Sequence, residues 1–159
     1  MNRRNTLSIS VITALGLALL PSIAFADQVA DMEGVKAASN AFYAALAVID
    51  DGAAMEKVIA HTPYITAVHP RLKSIVVGWD AEKKYWAESN KPIAERKISV
   101  TDAHIHINGN LAWEIGEEIG DVKLKDGTVR KTDQFVTNVY EKIDGRWLMV
   151  SHHAQPIPQ

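Results

Sequence analysis

A chain of 159 residues, 47% of them hydrophobic, has the length and apolar content of one globular domain and is too apolar for a disordered segment. Its formal charge is −2 and no basic patch stands out, so nucleic acid is excluded as a partner on electrostatic grounds. Cysteine is absent, which excludes disulfides, thiol catalysis and zinc–thiolate sites.

Residues 1–26 read as a leader. Arg3-Arg4 forms a short positive start, Leu7 to Leu20 is a nearly uncharged apolar run, and Ala24-Phe25-Ala26 supplies a small-x-small cleavage pattern. The apolar run falls short of the ~20 residues a membrane-spanning helix needs. The expectation is a Sec-type signal peptide cut before Asp27. A mature domain of residues 27–159 would then be exported, to the periplasm in a bacterial cell, with no membrane attachment after cleavage.

From about Val29 to Asp50 the residues Met32, Val35, Phe42, Leu46 and Ile49 fall on one helical stripe. Six alanines between positions 37 and 47 raise helix propensity. Asp51-Gly52 is the expected stop, because glycine takes the left-handed C-cap conformation freely. A shorter helix is predicted over Ala53–Ala60, ended by Thr62-Pro63. Tyr64–His69 reads as a strand and Ser74–Val77 as a short return strand. Asp80 is placed to N-cap a third helix, Ala81–Ser89, which Asn90-Lys91-Pro92 breaks. Beyond that the pattern is all strand: Ile98–Ile107, a turn at Asn108-Gly109, Leu111–Gly120, a turn at Asp126-Gly127, then Phe135–Tyr140 and Trp147–His153 joined at Asp144-Gly145. Helices segregated from an antiparallel meander make an α+β domain.

Alternation puts Trp147, Met149, Ser151 and His153 on one face of the last strand, and Leu148, Val150 and His152 on the other. A bulge near Val150 would exchange His152 with His153.

The tract L-K-D-G-T-V-R ahead of F-V-T-N-V-Y-E-K-I-D-G-R-W-L-M-V-S-H-H resembles the SnoaL-like, nuclear transport factor 2-like superfamily. The match is most specific at D-G-R-W-L-M-V-S-H-H, and V-I-A-H-T-P-Y-I-T-A-V-H-P is similar to the family's second helix and first strand. The resemblance spans about Met32 to Pro156. It implies a cone-shaped α+β roll in which a curved antiparallel sheet wraps a long N-terminal helix, with two shorter helices and a pocket at the open end. It also implies a homodimer paired through the sheet. Because the superfamily hosts ketosteroid isomerases, dehydratases, epoxide hydrolases and binding domains, fold alone does not name the activity.

His153, with Ser151, is the first candidate for a polar group on a pocket wall, since an imidazole titrates near neutral pH. Asp133 shares a strand face with Phe135 and Thr137, and a carboxylate in an apolar pocket could serve as a base, as in ketosteroid isomerase. Glu114 and Glu118 are similar candidates on their own strand. The resemblance places His69 at the pocket rim. Tyr43, Trp79, Trp86, Trp113 and Trp147 are candidate aromatic walls. The pair His104-x-His106 has metal-ligand spacing, but an exposed strand face accounts for it as well, and no metal or cofactor is assigned. The resulting expectation is an exported domain that binds a small, mostly apolar molecule. The alternative is a cofactor-independent isomerase, lyase or hydrolase using a pocket His or Asp as general base.

Overall fold

The computed structural model describes residues 20–158, with side chains from residue 27 onward, so the leader expected over residues 1–26 lies outside the described side chains. A long helix, α1 (Leu20–Ala47), is followed by a 3-10 turn (Met55–Lys57), two short strands β1 (Thr66–Val68) and β2 (Val76–Val77), and helix α2 (Trp79–Ser89). Four long strands complete the chain: β3 (Ile93–Asn108), β4 (Leu111–Leu124), β5 (Val129–Ile143) and β6 (Arg146–Pro156). They form a six-stranded sheet in the order β2-β1-β6-β5-β4-β3. The expected meander is therefore present, but the sheet is mixed rather than antiparallel, because β1 runs parallel to β6 with Ala67 opposite His152.

α1 buries Val35, Ser39, Phe42, Tyr43 and Leu46 against the inner face of this curved sheet. The buried spacing is that of one helical stripe, with a serine standing where an apolar residue would be expected. At the far end of β6, Trp147 packs so closely on α1 that a Cβ at Gly34 would lie 2.6 Å from its ring.

The helix predicted over residues 53–60 is reduced to the 3-10 turn. The backbone beyond it bonds the sheet instead: Ala60 N–H donates to Met149 O, and Met149 N–H donates to Val58 O. α2 starts at Trp79 with Gly78 at its N-cap, and Asp80 lies inside the helix rather than capping it. The long strands outrun their predicted limits at both ends of the meander, which lengthens the cone and creates its mouth. Gly120 permits the tight approach of β4 to β3: its φ is +148°, and a Cβ there would sit 1.9 Å from the Lys97 carbonyl oxygen.

Three irregularities decide which side chains face inward, the first a register shift in β3 between Ile93 and Glu95. β6 carries an extra residue at Val150, since Tyr140 pairs with Met149 while Val139 pairs with Ser151. β3 is shifted between Thr101 and His104, where Asp102 adopts a positive φ of 49°.

Candidate functional site

The inner face of β4 carries Ala112, Glu114, Gly116 and Glu118, opposite Tyr140, Asn138, Val136 and Gln134 of β5. The bulge at Val150 then turns His152 inward, opposite Asn138, and sends His153 out. His153 is exposed, so the imidazole on the cavity side is His152, 7% exposed. The four-residue face expected for β6 is thus broken. Trp147 and Met149 lie inside, whereas Ser151 points away and exchanges a hydrogen bond with Thr66 of β1 at 3.0 Å.

These inward groups form one hydrogen-bonded network beneath α1. Glu114 accepts from Ser39 Oγ at 2.8 Å, Asn138 Nδ2 at 3.0 Å and Tyr140 Oη at 3.0 Å. Asn138 Nδ2 also donates to Tyr43 Oη at 3.2 Å, and Tyr43 donates onward to Glu118 at 3.0 Å. With the amide nitrogen of Asn138 committed to the Glu114 carboxylate, its oxygen must face His152 Nδ1, 2.8 Å away. His152 therefore carries its proton on Nδ1 and keeps a lone pair on Nε2. Burial, followed by the nearby His69 and His153, pushes its pKa down to about 3, so this imidazole is neutral at physiological pH.

Glu118, Gln134 and His152 are the members of the network that reach the main cavity, a cleft of about 750 Å³ between the α2 side of the domain and the ends of β3–β6. Glu118 is 2% exposed, and burial raises its pKa despite the hydrogen bonds from Gln134 at 2.6 Å and Tyr43. The apolar wall comes from Leu46, Trp86, Ile98, Val122 and Leu124. His69, at the end of β1, is 2% exposed, stacks on Tyr85 with ring centroids 3.6 Å apart, and contacts Glu82 at 3.2 Å. Burial, then the Glu82 charge, pushes the Tyr85 hydroxyl up to about 12.

Arg96 closes the same cleft from β3. It is 6% exposed and lies with its guanidinium carbon 5.7 Å from the Trp86 ring centre. It donates to Leu46 O at 2.7 Å and to Asn90 Oδ1 at 2.8 Å.

Of the residues singled out in the sequence, His69, Trp86 and Glu118 line the cleft, and Tyr43 supports it from behind through Glu118. Asp133 stands at the mouth but is exposed. The inward residues of β5 are Thr132, Gln134, Val136, Asn138 and Tyr140, so Asp133, Phe135 and Thr137 share the outer face, and Asp133 has no apolar surroundings to make it a base. Trp113 is also on the outer face, stacked with His106 at 4.6 Å. Trp79 stacks on His61 at 4.3 Å outside the cleft. Trp147 donates to Asp31 at 3.3 Å, away from the cleft. His104 and His106 are exposed on β3, and no group of three metal-ligating side chains occurs among the described residues. Arg96, Glu82, Gln134 and Asn138 were not singled out in the sequence.

A SnoaL-like domain model matches residues 35–158. No curated protein matches the chain. Among solved structures, a proposed dehydratase of the nuclear transport factor 2-like family from Streptomyces avermitilis superposes with a TM-score of 0.73 at 22% identity, over 82% of this chain and 99% of that one. A proposed calcium/calmodulin-dependent protein kinase type II association domain from Thiobacillus denitrificans gives 0.66 at 26% identity, over 77% and 94%. A proposed aromatic ring hydroxylase from Novosphingobium aromaticivorans gives 0.74 at 13% identity, over 82% and 92%. With the family model covering most of its length and the cone, helix and sheet arranged as described, the chain belongs to the SnoaL-like domain family of the nuclear transport factor 2-like fold.

Proposed function

We propose that the cleft binds a small, mostly apolar molecule and that Glu118 moves a proton on it, making the domain a cofactor-independent isomerase or lyase. The observation that carries this reading is a nearly solvent-free carboxylate, raised in pKa by burial, at the wall of an open apolar cleft. Such a carboxylate is a stronger base than an exposed one and returns the proton readily. In an isomerisation Glu118 takes a proton from a carbon beside a carbonyl and gives it back at another carbon. In a dehydration the same proton goes to the departing hydroxyl, which leaves as water. Neither step needs a further reactant. His152, neutral with its Nε2 lone pair available, accepts a hydrogen bond from a ligand hydroxyl and orients it. The proposed dehydratase among the structural relatives agrees with this direction, though at its identity it supports the fold alone.

Binding without chemistry is the competing reading. It is favoured by the engagement of both Glu118 oxygens with Tyr43 and Gln134. Proton NMR in D2O separates the two, using a panel of small ketones and β-hydroxy ketones with line broadening to report binding. Proton transfer predicts loss of the C–H signal next to the carbonyl with the parent protein and none with Glu118→Gln. Compounds that bind the parent without exchanging would leave a binding domain only.

Export and self-association complete the proposal. The Arg3-Arg4 start, the apolar run and Ala24-Phe25-Ala26 support cleavage before Asp27 and, in a bacterial host, a periplasmic location. No helix among the described residues is long and apolar enough to cross a membrane. N-terminal sequencing of the protein from cell fractions tests this, and an intact residue 1 on protein from the cytosolic fraction would contradict it. A homodimer is supported by the outer face of β4 and β5, where Leu111, Ile115, Ile119 and Phe135 are all more than 40% exposed. Sedimentation should give a dimer that Phe135→Lys dissociates; a parent monomer would refute it.

A further inference from the structure

We propose that Arg96 anchors a carboxylate of the ligand, so that the cleft takes a small monoanionic acid with an apolar body. This rests on the reading of the cleft as the ligand site and names the class of molecule it takes.

Arg96 is a buried cation with no carboxylate in contact; the charge of Glu118 acts on it only from further along the cleft wall. Its two hydrogen bonds go to neutral acceptors, the Leu46 carbonyl and the Asn90 side chain, and Asn90 is itself held by the Asp50 carbonyl at 3.1 Å. Among the described residues no carboxylate lies within 4.0 Å of the guanidinium. A guanidinium offers five N–H donors, so three remain beyond the two used here. Taking a charge out of water without a contacting counter-charge is costly, and chains seldom bear that cost without a partner. The indole N–H of Trp86, beneath Arg96, is also buried with no acceptor among the described residues. A ligand carboxylate would supply the missing acceptors and charge in the planar, two-point geometry that a guanidinium prefers.

Charge sets the class. Arg71 and Arg130 stand exposed at the mouth with no carboxylate within 4.0 Å among the described residues, and draw anions inward. Deeper in, Arg96 is the one cation facing the cleft among the described residues, and Glu118 shares the wall with it. One negative charge is neutralised by Arg96. A second, as on a phosphate dianion, would face Glu118 without compensation. The apolar wall of Ile98, Val122 and Leu124 beside Arg96 accommodates a hydrocarbon or aromatic body.

The test uses the full chain and three probes, benzoate, benzamide and phenyl phosphate, followed through the Arg96 Nε–H resonance by nitrogen NMR up to about 50 mM, the range of weak fragment binding. Benzoate should shift that resonance saturably and bind at least about tenfold tighter than benzamide or phenyl phosphate. Arg96→Gln should reduce benzoate affinity to that of benzamide. If this variant does not fold, because Arg96 also ties α1 to the Asn90 loop, the benzoate-to-benzamide ratio of the parent decides alone. Equal affinities, phenyl phosphate binding tightest, or no shift of Arg96 with benzoate would each overturn the inference. Glu118→Gln separates the two proposals. It should abolish proton exchange yet preserve the benzoate preference, whereas loss of that preference would transfer the anchor from Arg96 to Glu118 and overturn it.

Discussion

Replacing Glu118 by Gln should stabilise the protein at neutral and alkaline pH while removing the carboxylate proposed to transfer the proton. Glu118 is 2% exposed, and its pKa is raised because burial outweighs the hydrogen bonds from Gln134 and Tyr43. For an acid whose folded pKa lies above its unfolded value, both states are protonated below the ordinary glutamate value of 4.5, and the native state keeps its full stability there. As pH climbs through the folded pKa, the native carboxyl is forced to ionise in a dry site and stability is lost. Each unit of elevation withholds about 1.4 kcal/mol once ionisation is complete. Gln does not titrate and retains the contacts. Its oxygen accepts from Tyr43, and its amide donates to Gln134 once that side chain turns over. Thermal unfolding from about pH 4 to pH 8 should therefore give coincident parent and variant melting temperatures at the acid end. The variant should pull ahead as pH rises, by roughly 3–5 °C for each kcal/mol in a domain of this size. Parallel curves across the range, or a variant less stable at pH 8, would show that the buried carboxylate is not under strain and would remove the reason for calling it a base.

Three further outcomes follow from the same network and sheet. His152 has a folded pKa depressed to about 3, so its contribution is complete above the unfolded value of 6.5 and lost as pH falls toward 3, by about 3–5 kcal/mol. His152→Gln should flatten that acid limb in denaturant titrations, and an unchanged limb would place the loss elsewhere. Asn138, fully buried, holds Glu114, Tyr43 and His152 together, and Asn138→Leu should cost about 3–5 kcal/mol by leaving all three underpaired. Gly120→Ala should cost about 2–5 kcal/mol, since the new methyl meets the Lys97 carbonyl in a backbone region closed to most side chains. Urea midpoints at constant slope would measure both losses, and a change under 1 kcal/mol would count against the geometry at that position.

Local periodicity makes α1, the turns at Asn108-Gly109 and Asp144-Gly145, and the meander legible in the sequence alone, because each depends on residues close in the chain. What periodicity does not supply is the inward face. Along β4 the large apolar side chains Trp113, Ile115 and Ile119 point outward, and Glu114 and Glu118 point inward. The usual assumption that apolar residues mark the interior thus inverts on a sheet whose outer face is apolar too. One sign was present: Ser39 interrupts the helical stripe of α1 at the position that meets Glu114. The exchange of His153 for His152 depends on one extra residue at Val150, a matter of pairing with β5 that no property of β6 alone determines.

Arg96 was harder still. It sits in the run Glu95-Arg96-Lys97, whose other two members pair with each other on the outside at 2.7 Å. The register shift between Ile93 and Glu95 determines which of the three turns inward. A charge becomes part of a site only when the sheet's register buries it. The Leu46 carbonyl and Asn90 that hold it come from elements fifty and six residues away along the chain. The fold is written in patterns of residue type, whereas the site depends on which member of each pattern the bulges turn inward.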